Sequence, residues 1–112
     1  MEELVRNVLK KIEAYSLNQI EIRPYCFGRM NERNVEETLL ISTLFSRNLY
    51  YVQKQNKTFN GEPEKRYKLI FKISSKYSLI IIVAFGAKIL KVINVIKTSK
   101  GVEKKWQKEI LK

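Results

Sequence analysis

Apolar positions along this chain repeat with two different periods. Between Arg66 and Ile73, Tyr67, Leu69, Phe71 and Ile73 alternate with Arg66, Lys68 and Lys72. That is the period-2 pattern of a strand with one wet face. Tyr77–Phe85 is apolar on both faces, as a central strand is when covered on both sides. The run Ile89–Lys97 alternates less cleanly, with Lys91 and Lys97 sharing a face with Ile93 and Val95. Ser74-Ser75-Lys76 and Gly86-Ala87-Lys88 separate the three runs, which read as an antiparallel meander. A buried helix over Leu79–Ile96 is the rival reading; Gly86 at its middle and its β-branched content argue against it.

Helical spacing marks the first half. Leu4, Val5, Val8, Leu9 and Ile12 form one stripe over residues 2–14, with Arg6, Asn7, Lys10 and Lys11 opposite. This amphipathic helix needs a surface to cover, either the chain's own sheet or a protein partner. Ile20-Glu21-Ile22-Arg23 alternates like an edge strand, ended by Pro24. Residues 25–47 read as two helices. Cys26, Phe27 and Met30 give the first an apolar stripe, and Val35, Leu39, Leu40, Thr43 and Leu44 give the second its buried face. Asn34 and Glu37 resemble a capping box. Leu49–Gln53 reads as a strand. The polar stretch Lys54–Lys65 is too long for a tight hairpin and reads as a mobile loop. A closing helix from about Gly101 carries Val102, Trp106 and Ile110 on one side. The sum is an α+β domain over residues 1–112: a four-stranded, mostly antiparallel sheet with helices packed on one face and helices at both termini.

Charge changes this picture from a fold to a partner. The formal net charge is +11, and it is uneven: residues 1–46 hold six Lys/Arg against seven Glu, whereas residues 47–112 hold sixteen against four. Such an excess implies a polyanion, nucleic acid first, with RNA favoured over DNA. The single cysteine, Cys26, has no intramolecular partner and fits a reducing compartment. No leader-like segment opens the chain, and its longest apolar run falls far short of the roughly 20 residues of a membrane span. A cytoplasmic protein without a membrane role is expected.

The chain has no histidine and no aspartate. Histidine-based triads are impossible, zinc ligands are lacking, and no phosphate loop is present. Neither a metal nor a cofactor is expected. What remains is metal-free chemistry on RNA, whose 2′-hydroxyl is its own nucleophile. Arg66, Lys68 and Lys72 on one strand and Lys91 and Lys97 on another supply neighbouring cations for that chemistry. Tyr50, Tyr51, Tyr67 and Tyr77 supply rings for stacking.

The segment Tyr25-Cys-Phe-Gly-Arg29-Met30-Asn-Glu32-Arg33-Asn34-Val35 resembles the opening motif of a family of small domains. That motif runs His, three residues, Arg-Met, any residue, Glu-Arg-Gly-Ile, then a helix. Tyr25 stands at the histidine position, and Asn34-Val35 stands for Gly-Ile. The family is similar to the RelE-type toxins, and the likeness covers about residues 20–100, leaving residues 1–15 as an additional helix. It implies a small sheet packed on helices, metal-independent cleavage of messenger RNA, usually on the ribosome, and an antitoxin-like protein partner. The missing histidine removes histidine-dependent chemistry from that implication.

On this reading the chain binds RNA, with a RelE-like endoribonuclease as the sharper expectation. Arg66, Lys68, Tyr67, Tyr77 and Lys91 form the candidate catalytic set. Arg29, Arg33, Lys65, Lys72, Lys97, Lys100, Lys104, Lys105 and Lys108 are candidate nucleic-acid contacts. A non-catalytic nucleic-acid-binding module, and a protein-interaction domain pairing through its first helix, are the alternatives.

Overall fold

The computed structural model describes residues 2–99. Three α-helices precede or flank a five-stranded sheet: α1 Glu2–Glu13, β1 Ile20–Ile22, α2 Pro24–Glu32, α3 Glu37–Leu44, β2 Leu49–Phe59, β3 Glu62–Lys72, β4 Tyr77–Phe85 and β5 Leu90–Ser99. The strand order is β1-β5-β4-β3-β2. β1 runs parallel to β5 at one edge, and the other pairs are antiparallel. The edge segment at Ile20–Ile22 therefore raises the sheet from the expected four strands to five. No described helix is long and apolar enough to cross a membrane.

The α1 stripe is buried on the chain's own sheet: Val8, Leu9 and Ile12 join Leu69, Phe71, Leu79, Ile81 and Val83 in one core. Each such side chain contributes about 1.5–3 kcal/mol by leaving water. Pairing with another protein through α1 would have to use its polar side. Pro24 starts α2 at a position where a missing N–H costs nothing. Asn34, expected to cap α3, instead ends α2 in the left-handed region at φ 55°. The Val35 N–H donates to Met30 O at 2.9 Å, and both side chains are buried. That is a Schellman ending with its hydrophobic contact, and it leaves Glu36 as the residue before α3.

The larger departure is the stretch expected to be a loop. β2 and β3 form one continuous hairpin paired from Leu49↔Phe71 to Phe59↔Glu62. Asn60 and Gly61 turn it with φ 52° and 80°, the two positive angles of a type I′ turn. Polar composition hid this hairpin because its outer half rests on no core, so its alternation carries no apolar mark. β3 pairs with β4 only from Tyr67 to Lys72; residues 54–66 thus overhang the sheet.

β5 carries a bulge where the pairing shifts between Ile82 and Val83. It turns Lys91 to the face of Ala84 and Ile82, and Lys97 to the face of Leu79, so the two lysines do not share a side as the plain alternation implied. The face away from the helices is not a plain wet surface either: Ile70 and Ile80 are buried there, and burial lowers the pKa of Lys68.

Candidate nucleic-acid interface

The five candidate catalytic residues divide between places. Arg66, Lys68 and Lys91 lie on the sheet face away from the helices, set by the Lys68↔Ile82 and Ala84↔Lys91 pairs. Tyr67 points to the helix side, edge-on to Phe85 at 5.2 Å between centroids. Tyr77 begins β4, seven residues from Ala84, or about 24 Å at strand rise. Its ring carries Lys97 Nζ at 4.9 Å, away from the other candidates. The expected convergence of tyrosine with the β3 cations does not occur.

Arg66 has a structural task. Glu64 sits between two guanidinium groups: Arg23 grips it with two bonds of 2.6 and 3.1 Å, and Arg66 Nε donates at 2.8 Å. These side chains are largely buried, at 11% exposure for Arg23 and 13% for Glu64. The Arg23 hydrogen bonds, with those of Arg66, hold the Glu64 carboxyl down at about 2 against the opposing effect of burial. Arg23 also stacks on Phe59 at 3.9 Å, a cation–π contact of about 1–2 kcal/mol when dry. Arg23 follows β1 at one edge, yet Glu64 and Phe59 belong to the hairpin at the other. The overhang is therefore curled back and clasped across the sheet.

The remaining motif arginines are engaged as well. Arg33 donates to Val95 O at 2.8 Å, closing the edge of β5 beyond the last β1 pair. Arg29 pairs with Glu32 on its own helix at 2.9 Å. Met30, between them, is core. Each residue of the Arg-Met-x-Glu-Arg segment thus has a local or packing role in this fold. Among the candidate contacts, Lys65 lies on the hairpin overhang, Lys72 ends β3, and Lys97 lies near the end of β5; all three are exposed. Lys100, Lys104, Lys105 and Lys108, with the closing helix, lie outside the described residues.

A different grouping surrounds Tyr67. Lys54 is its cross-strand partner, and Lys65 lies two residues before it on the same side. Lys11 of α1 holds its ammonium 5.6 Å from the Tyr67 ring centre and 5.4 Å from that of Phe85. Every ion pair found among the described residues uses an arginine; Lys11, Lys54 and Lys65 enter none. Sequence reasoning found Tyr67 and Lys65. It missed Lys11, which is 56 positions from Tyr67, and Lys54, which only the hairpin register brings alongside.

No family model matches the chain, and no match was found among curated proteins or solved structures.

Proposed function

We propose that the chain binds single-stranded RNA through the Tyr67 patch, without cutting it. The observation that carries this reading is the ring of Lys11, Lys54 and Lys65 around a half-buried tyrosine, all three lysines outside the ion pairs of the described residues. An aromatic face set among cations suits a base with its flanking phosphates. Ammonium groups act as point charges without a fixed fork, so binding is by backbone charge and stacking rather than by base identity. The cations sit on two strands and a helix flank rather than along one helix face, a layout that suits a single strand better than a duplex groove. Strand cleavage is left out because Tyr67 and Tyr77 do not meet Arg66, Lys68 or Lys91. The likeness to RelE-type toxins enters only as an RNA-directed precedent.

Fluorescence anisotropy with an end-labelled RNA oligonucleotide in dilute buffer tests this. The expected result is saturable binding that weakens steeply with salt, with the strand recovered intact. Absence of binding to RNA in dilute buffer would overturn the reading.

A further inference from the structure

The sheet ends on one side at β1, and the outward backbone of that strand is unpaired. β1 lies parallel to β5 with Ile22 opposite Val92, and Arg23 N–H donates to Val92 O at 3.0 Å. In a parallel pair, alternate residues of a strand bond the neighbour. Glu21 and Arg23 therefore turn their amide groups to β5, and Ile20 and Ile22 turn theirs away from it. Ile20 N–H is used by Leu17 O in the turn before the strand. Ile20 O, Ile22 N–H and Ile22 O have no backbone partner among the described residues. Such groups are ready to pair with an arriving strand. The opposite edge, β2, carries Lys54 and Lys57, which discourage strand addition. β1 has neither lysine, proline nor bulge.

A groove accompanies this edge. A cavity of about 490 Å³ lies between Leu17, Ile20 and Ile22 on one side and Glu37, Thr38 and Ile41 of α3 on the other. Leu17 is 66% exposed, and Ile20, Ile22 and Ile41 are half-buried. Side chains added beside Ile20 and Ile22 would meet apolar ground. The other side of β1 carries Glu21, and Glu37 stands at the groove's rim; both are exposed. Neither enters an ion pair among the described residues, and this includes Glu21 with its register neighbour Lys91 on β5. Arg23 is already bonded to Glu64. In a chain of net charge +11, this edge thus presents carboxylates.

We infer that the β1 edge takes an extended segment of a partner protein in which apolar residues alternate with Lys or Arg. The segment bonds Ile22 N–H and Ile22 O through its main chain, lays its apolar side chains in the groove and sets its cations beside Glu21. Glu37 at the rim adds to the preference for a basic segment. A second copy of the chain fits poorly. Two β1 strands paired about Glu21 would set that carboxylate against its twin, and each chain brings a charge of +11. None of Lys11, Lys54, Lys65 and Tyr67 lines the groove, so the inference is separate from RNA binding.

The test is a heteronuclear NMR titration of the full chain with the capped peptide Ser-Val-Lys-Val-Lys-Val-Ser. Saturable shifts are expected at Ile20, Glu21, Ile22, Thr38 and Ile41, with slower solvent exchange of the Ile22 amide. Replacing both peptide lysines by glutamate should weaken binding about tenfold, and Glu21→Gln about threefold. Glu21→Lys, at an exposed position, should reverse the preference, so that the glutamate peptide binds better. Proline at the peptide's central valine removes a main-chain donor and should abolish binding. Equal affinity for the lysine and glutamate peptides, or an Ile22 amide whose exchange is unchanged on binding, would overturn the inference. So would an Ile22 amide protected in the free chain with no shift on adding peptide, because the chain or a second copy would then already fill the edge.

Discussion

The two faces of the overhanging hairpin both carry basic side chains and differ in what meets them. On one face, Glu64, Arg66 and Phe59 meet Arg23, and the three charges of that clasp are joined at hydrogen-bond distance. On the other, Lys54 and Lys65 flank Tyr67 beside Lys11, and none of the three enters an ion pair among the described residues. The clasp on the first face ties the hairpin to the sheet; the second face is the one proposed to meet RNA. A basic sequence therefore does not by itself mark an interface. What separates a fastening cation from a binding one is whether the fold has already supplied its counter-charge.

The strongest way to break this contrast is to remove the fastening. Glu64→Gln leaves Arg23 largely buried without its carboxylate and should cost about 2–3 kcal/mol, read as a lower urea midpoint. Loss of less than about 0.5 kcal/mol would show that the clasp does not hold the hairpin. The pH dependence has a fixed sign. The Glu64 carboxyl is held at about 2 in the folded chain, below its ordinary value, so its contribution is complete above the unfolded pKa. It is lost as pH falls from about 4.5 towards 2. Wild-type stability should therefore drop more steeply in that window than that of Glu64→Gln; parallel curves would contradict the assignment.

A smaller effect is expected at the tip. Gly61 sits at φ 80°, where an L side chain is strained although space is open. Gly61→Ala should cost about 1 kcal/mol and raise amide exchange in residues 54–66 before the core. The smallest effect belongs to the binding face. Replacing Lys11, Lys54 and Lys65 together by glutamine should change stability by less than about 1 kcal/mol, because none enters an ion pair among the described residues and Lys11 keeps only exposed ring contacts.

Much of this fold is written in local patterns. The helical stripe of α1, the two helices after Pro24 and the strands β3 to β5 follow from spacing because each buries one face in a shared core. Patterns failed where the determinant was non-local or polar. Residues 54–65 carry no apolar alternation, and Asn60-Gly61 was their only hairpin signal. The clasp joins Arg23 to a glutamate 41 positions away, a distance no motif spans, so Glu64 looked like a solvated loop residue. The bulges at Tyr50 and in β5 shift which side chains share a face, and that shift separated Lys91 from Lys97. The candidate site was legible only as residue types: Tyr67 and Lys65 belong to it, while Arg66 turned to Glu64 and Arg33 to the edge of β5.

The most direct test of the account is the salt dependence of RNA binding, compared between wild type and the Lys11→Gln, Lys54→Gln, Lys65→Gln variant. Each lysine that meets a phosphate adds about 0.7 to the slope of log affinity against log salt for a single strand. The triple variant should therefore lose about 2 from that slope while remaining folded. An unchanged slope in a folded variant would place RNA binding elsewhere and contradict the assignment of the Tyr67 face.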